Sequence, residues 1–367
     1  MMRFFAAALL IASACAAKTT SQQARRISLP AGFRPAAIAV ADLNGDGFAD
    51  IAITGESERL IILLGDGHGA LRFAPESARA GKQPYAIVAA DLNGDRKIDL
   101  AVANHDTDHL TLLFGDGKGQ FTARELRVPS KPHPHMIAAA DADGDGQVDL
   151  ITDSWMENRL LLVSTTGRST PIEVGRKPYL TLTAADIDGD GNIDLITPNQ
   201  GFGTVSILPG DGHGHFAHAP QSPIAAGPGP FAAAVADVNG DRKPDIVVAN
   251  FSGQITDTAR DGVTWIRNDG ARRFTAFPNR IAVGRGTARI AAGDFNGDGF
   301  ADVAVSNSAG AEVTIVFGSP SGLHRSITIP TMSSPHALAL ADLDRDGRAD
   351  LLVVTEERDE MLIVSGH

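Results

Sequence analysis

The residues best placed to do chemistry are carboxylates at a fixed spacing. A nine-residue phrase with Asp at its first, Asp or Asn at its third, Asp at its fifth and Asp at its ninth position occurs seven times. The copies are Asp42, Asn44, Asp46, Asp50; Asp91, Asn93, Asp95, Asp99; Asp141, Asp143, Asp145, Asp149; and Asp186, Asp188, Asp190, Asp194. They continue with Asp237, Asn239, Asp241, Asp245; Asp294, Asn296, Asp298, Asp302; and Asp342, Asp344, Asp346, Asp350. Oxygen donors on a short loop suit a hard cation. Ca²⁺, which accepts 6–8 of them, fits better than Mg²⁺, which keeps several waters. The phrase begins like an EF-hand loop, but its last acid falls at position 9 rather than 12, and strands rather than helices flank it. A metal-free Asx-rich turn is the alternative for any one copy; seven copies argue for cations.

Electrostatics point the same way. Two carboxylates about 5 Å apart repel by roughly 0.8 kcal/mol even in water. Of the 44 acidic residues, 24 sit in these loops, so seven Ca²⁺ would offset the formal charge of −12. Uneven occupancy is expected. Arg96 and Arg242 replace glycine at position 6, each followed by Lys, and Arg345 replaces glycine at position 4. Loops two, five and seven should therefore bind more weakly.

The loops recur at steps of 49, 50, 45, 51, 57 and 48 residues, which makes repeats the organising fact of the chain. An alanine-rich strand precedes each loop (36–41, 86–90, 137–140), and a β-branched strand follows (51–54, 246–248). A third strand comes next (60–64, 110–114, 313–317), then a Gly-Asp-Gly turn leading to a fourth (65–73, 115–121, 210–216). Four strands per repeat of this length predict an all-β, seven-bladed propeller of four-stranded antiparallel blades. Small alanines suit innermost strands, which crowd at the axis. The last repeat stops after its third strand, while Ile27-Ser28-Leu29-Pro30 echoes the fourth-strand phrase Ile327-Thr328-Ile329-Pro330. The N-terminal strand should therefore complete the final blade and close the ring.

The phrases DLNGDGFADIAIT, DLNGDRKIDLAVA and DFNGDGFADVAVS resemble FG-GAP/VCBS repeats, as in the integrin α-chain propeller, over residues 26–367. The resemblance implies Ca²⁺ loops on one face and ligand binding on the other. It names no ligand, since a fold hosts many functions.

On the face away from the loops, a Pro-x step enters each inner strand and places x near the channel mouth. Around the ring x is Ala36, Tyr85, His135, Tyr179, Phe231, Ala288 and His336. Loops between second and third strands add His105, Asp106, Asp108 and His109, then Trp155 and Glu157, then Phe202 and Phe251. These residues form either a bowl for a protein or carbohydrate partner or a small core plugging the channel. His213, His215 and His218 read as a solvated turn. HExxH, GxSxG and P-loop motifs are all missing, so the sequence predicts a binder rather than an enzyme. The alternatives are a propeller-type polysaccharide lyase or hydrolase, with His135, Tyr179 or His336 as acid and base, and a scaffold docking a cell-surface assembly. The acidic balance argues against nucleic acid, and the ring is expected to be monomeric.

Residues 1–17 read as an export signal: Arg3, then the apolar run 4–12, then small residues. Cys15, the sole cysteine, follows Ala-Ser-Ala as in a lipoprotein signal. Lipidation there, or ordinary cleavage at Ala14 or Ala17, are the two readings. Lipidation would be the only link to a membrane. Residues 18–25 would be a flexible tether, and the protein periplasmic, cell-surface or extracellular.

Overall fold

The computed structural model describes residues 24–75, 78–105, 107–127, 134–154, 159–174, 182–251, 261–277 and 281–366. Its strands form seven four-stranded antiparallel sheets. Blade 1 consists of Pro35–Ala41, Asp50–Gly55, Leu60–Gly65 and Leu71–Phe73. Blade 2 follows with Pro84–Ala90, Asp99–Asn104, His109–Gly115 and Phe121–Arg127. The inner strands of the next blades are Ile137–Ala140, Thr183–Ala185, Pro230–Ala236, Thr287–Gly293 and Pro335–Ala341. Each inner strand packs against the next, and the seventh packs against the first. In blade 7 the outer strand is Ala24–Ser28, paired antiparallel with Glu360–Val364.

The core is divided among the seams. Seven apolar clusters each join neighbouring blades. Period-two alternation produces this: Ile51 and Ile53 face blade 7, whereas Ala52 between them faces blade 2. Second strands such as Asp50–Gly55, Asp99–Asn104 and Asp302–Asn307 are buried along their whole length. That accounts for their continuous β-branched and alanine composition. A fully buried Ile or Leu contributes about 1.5–3 kcal/mol, so each seam is a strong nearest-neighbour interface.

Inner strands change character along their length. Pro35–Ala41 runs from buried to half-exposed, as residues beside an axial channel do. At the opposite end of the second strand, a buried Asn bonds a hydroxyl on the third. Examples are Asn199 to Ser206 (3.0 Å), Asn250 to Thr264 (2.8 Å) and Asn307 to Thr314 (2.8 Å). These pairs stiffen the end of the blade that carries the mouth.

Outer strands depart most from the sequence pattern. In blade 4, residues 210–216 form only a Gly210–Phe216 bridge, and the outer strand is the two-residue Ile224–Ala225. Pro220 and Pro223 lack the N–H that a longer ladder needs. The Gly-Asp-Gly segments of blades 1 and 2 are turns, with the outer strands starting at Leu71 and Phe121.

Candidate functional sites: the acidic loops and the channel mouth

Each acidic loop is wound around its own carboxylates. Asp42 accepts the backbone N–H of Gly45 (2.7 Å) and Asp46 (3.1 Å) on one oxygen and that of Gly47 (2.8 Å) on the other. Asn44 Oδ1 accepts from Asp46 (2.8 Å), and Asp46 from Phe48 (2.9 Å). The winding needs left-handed backbone at positions 4 and 6. Glycine meets that need in most copies, but Arg96 (φ 65°), Arg242 (φ 65°) and Arg345 (φ 61°) hold it against steric cost.

The ninth-position Asp has a different task. Asp50 accepts N–H from Leu43 (2.9 Å) and from Gly65 at the end of the third strand (2.8 Å), tying the loop to the blade. The same latch forms at Asp99 with Gly115, Asp194 with Gly210, Asp302 with Gly318 and Asp350 with Gly366. The partner must be glycine because a Cβ at Gly65 or Gly115 would collide with the carbonyl oxygen of Ala49 or Ile98. Asp245 uses Trp265 Nε1 (3.0 Å) and Asn268 N (2.8 Å) instead. In blade 3 the third strand runs into Ser164-Thr165-Thr166-Gly167, and Asp149 is bonded to the loop N–H of Ala142 (3.3 Å). Burial raises all seven ninth-position carboxyls above the ordinary value, to about 6 for Asp149, Asp194, Asp245 and Asp302.

Carboxylate oxygens converge where position 3 is Asp. In blades 3, 4 and 7, one oxygen each from Asp141, Asp143 and Asp149, from Asp186, Asp188 and Asp194, and from Asp342, Asp344 and Asp346 lie within 4.8 Å of one another. Oxygens on opposite sides of one Ca²⁺ stand ~5 Å apart, so these donor sets fit a shared hard cation. Blade 7 belongs to this group although its Arg345 marked it as weaker. That side chain points outward, over the Phe48 ring (4.4 Å) and onto Gly47 O of blade 1 (2.5 Å).

Protein cations already touch several loops. Lys97 bonds Asp95 (3.2 Å) and Lys243 bonds Asp241 (3.4 Å), each within its own loop. Arg168 reaches Asp143 (3.3 Å). Arg272, at the blade 5 hairpin, crosses a seam to Asp188 (2.5 Å) and Asp190 (3.0 Å) of blade 4.

At the other end of the inner strands, ~20 Å from the loops by strand length, the mouth residues gather. Tyr85 stacks with His105 (centroids 5.5 Å apart), and His135 meets both edge-on, at 5.5 Å from Tyr85 and 4.6 Å from His105. Arg289 of blade 6 lies 5.0 Å over the Tyr85 ring. His135 is buried on Asp153, whose carboxylate takes Nδ1 (3.2 Å) and the backbone N–H of His135 (2.7 Å) and Met136 (2.8 Å). A cavity of about 360 Å³ is lined by Ala36, Glu56, Gln83, Pro84, Tyr85, His105 and His336. Phe231 and Phe251 pack edge-to-face (5.5 Å) in the seam of blades 5 and 6, against which Ala288 and Tyr85 also rest. Phe202 is 56% exposed. Trp155, Tyr179 and Cys15 lie outside the described residues.

The FG-GAP-like repeat model matches residues 42–102, 91–152, 186–248 and 237–305, more than half of the chain. The chain belongs to the FG-GAP-like repeat family. No curated protein sequence matches it. Among solved structures, this FG-GAP-like propeller resembles a catalytically inactive virginiamycin B lyase from Staphylococcus aureus with quinupristin. The TM-score is 0.63 at 14% identity, over 94% of this chain and 99% of the lyase. A lectin from Burkholderia pseudomallei has a TM-score of 0.58 at 18% identity, covering 91% and 98%. An Agrocybe aegerita lectin that recognises non-reducing terminal N-acetylglucosamine has 0.56 at 15%, covering 94% and 86%. These likenesses establish a shared fold.

Several residues of this FG-GAP-like ring carry weight that sequence reasoning missed. Asp153 is inconspicuous inside a strand, and Arg289 and Arg272 act on blades other than their own. The latch glycines alone left a readable signal: a Gly 15 or 16 residues after the ninth-position Asp in five of seven repeats. Of the histidines near the blade 4 hairpin, His218 bonds Ser222 Oγ (3.0 Å) and Val174 O (3.1 Å), and His215 bonds Asp211 (3.1 Å); they serve the turn.

Proposed function

We propose that this protein is an exported, calcium-stabilised binding module that holds a protein or carbohydrate partner at the channel mouth. The observation that carries the reading is the cluster of Tyr85, His105, His135 and Arg289 beside a cavity of small-molecule size. Ca²⁺ would be held by the loop carboxylates, with Asp141, Asp143 and Asp149, Asp186, Asp188 and Asp194, and Asp342, Asp344 and Asp346 as the most convergent sets. It would neutralise the loops and stiffen that face. Export, with or without lipidation at Cys15, follows from the composition of residues 1–17. Among the described residues no helix is long and apolar enough to cross a membrane.

Binding of a mixed panel of neutral and acidic oligosaccharides and peptides tests the reading. Tyr85→Ala and His105→Ala should each weaken binding at least tenfold without product release. Binding indifferent to both changes would move the site elsewhere.

One observation favours a second reading, a lyase or hydrolase. Asp153 orients His135 through Nδ1 as a carboxylate orients a general base. The lyase of similar fold shows that such a ring can carry an active site. Time-dependent product release abolished by His135→Ala would replace the binder with this enzyme.

A further inference from the structure

We propose that the mouth takes a ligand bearing a carboxylate, the size of one sugar acid, and that Arg289 selects for it. The inference rests on the mouth being the binding face. Its starting point is a guanidinium in an unusual position. Arg289 sits in the inner strand of blade 6, where a bulge between Thr287 and Ile290 interrupts the register. Its backbone N–H is fixed by Ser306 Oγ (2.9 Å). The side chain is half-buried and covers the Tyr85 ring, but among the described residues it makes no ion pair.

Three other arginines of the ring are paired closely with carboxylates: Arg34 with Glu56 (2.7 Å), Arg267 with Asp269 (2.7 Å), and Arg272 with Asp188 and Asp190. A guanidinium withdrawn from water without a counter-ion bears an uncompensated desolvation cost. An incoming carboxylate recovers it through charge-assisted, bidentate hydrogen bonds.

The surroundings favour an anion over a neutral sugar. Tyr85 is occupied by His105, His135 and Arg289, so its ring is not a free platform for stacking a pyranose. What the walls offer instead is polar: the imidazoles of His105 and His336 and the amide of Gln83. Among the described residues the carboxylate on the wall is Glu56, which is paired with Arg34 (2.7 Å). The acidic loops lie at the far end of the blades, ~20 Å away, beyond a Debye length of about 8 Å at physiological salt. The 24 loop aspartates therefore contribute little repulsion to an anion here. The cavity of about 360 Å³, lined by Tyr85 but not by the Arg289 that covers its ring, lies at the small end of the range for ligand pockets.

Titration calorimetry of the full chain, at constant millimolar Ca²⁺, with D-glucuronate and D-glucose isolates the carboxylate. Glucuronate should bind at least tenfold more tightly than glucose. Arg289→Ala should remove that preference, and Arg289→Lys should keep part of it. Melting curves of both variants check that the ring is intact. A glucuronate-terminated oligosaccharide distinguishes a free sugar acid from a glycan end as the source; tighter binding of the oligosaccharide assigns the glycan. Equal binding of glucose and glucuronate, or a preference unchanged in Arg289→Ala, overturns the inference. If a neutral glycan binds through Tyr85 and ignores Arg289, the mouth remains the binding face and only the carboxylate inference falls. If no probe responds to Tyr85→Ala or His105→Ala, both fall together.

Discussion

The two ends of the blades are built on opposite principles. At one end a single solution is repeated seven times, and five of the seven blades close it with the same Asp-to-Gly latch. At the other, Tyr85, His105, His135 and Arg289 come from three blades and occur once each. Repetition marks what every blade needs in order to hold its shape. Singularity marks what the ring as a whole can do only at one place. Substitutions at the loop end should therefore be read in stability, and those at the mouth in binding.

The largest effect should come from the latch. Asp99→Ala orphans the N–H groups of Leu92 and Gly115, each worth about 1–3 kcal/mol when buried and unsatisfied. A loss of about 3 kcal/mol or more is expected in denaturant unfolding. Asp149→Ala, which lacks a third-strand partner, should cost less. Equal losses would remove the latch from the account.

The pH dependence should differ between metal-free and calcium-loaded protein. Burial raises Asp149, Asp194, Asp245 and Asp302 from 3.8 to about 6. The folded, metal-free protein thus holds protons that the unfolded chain has lost. These groups stabilise it below pH 3.8, and that contribution disappears as pH rises through about 6. Calcium needs the ionised carboxylates. The gain in melting temperature on adding Ca²⁺ should be clearly larger at pH 7 than at pH 5; a constant gain would contradict it.

A smaller effect tests the protein's own cations. Arg272→Ala frees Asp188 and Asp190 and should raise cation affinity at blade 4 several-fold in a calcium titration. The smallest concerns strain. Arg96→Gly and Arg242→Gly relieve left-handed backbone, and each should stabilise metal-free protein by roughly 0.5–1 kcal/mol. No gain would mean that the arginine side chains repay the strain elsewhere.

The repeated end was legible because period and residue type both survive in one dimension. Blade number, strand order and the Asp positions all follow from spacing. The outer strand of blade 7 was signalled by the phrase Ile27-Ser28-Leu29-Pro30, but it runs Ala24–Ser28 and so takes Ala24 and Arg25 from the expected tether. The mouth was legible only in part. The Pro-x rule found Tyr85 and His135, but Asp153 and Arg289 have no counterpart to compare with. Their role depends on which blades face one another across the axis. Contacts between blades also reach the loops in ways that spacing does not show. The Arg345 side chain leaves its own loop to cap blade 1, and Arg272 enters blade 4 from a neighbour.

The acidic loops are proposed as a cation-dependent framework separate from the binding face. Thermal unfolding of the wild type and of Tyr85→Ala, in chelator and then with Ca²⁺ or Mg²⁺, tests it most directly. The melting temperature should fall by about 10 °C or more in chelator. Ca²⁺ but not Mg²⁺ should restore it, equally in both proteins. A melt indifferent to Ca²⁺, or a calcium response lost in Tyr85→Ala, would contradict it.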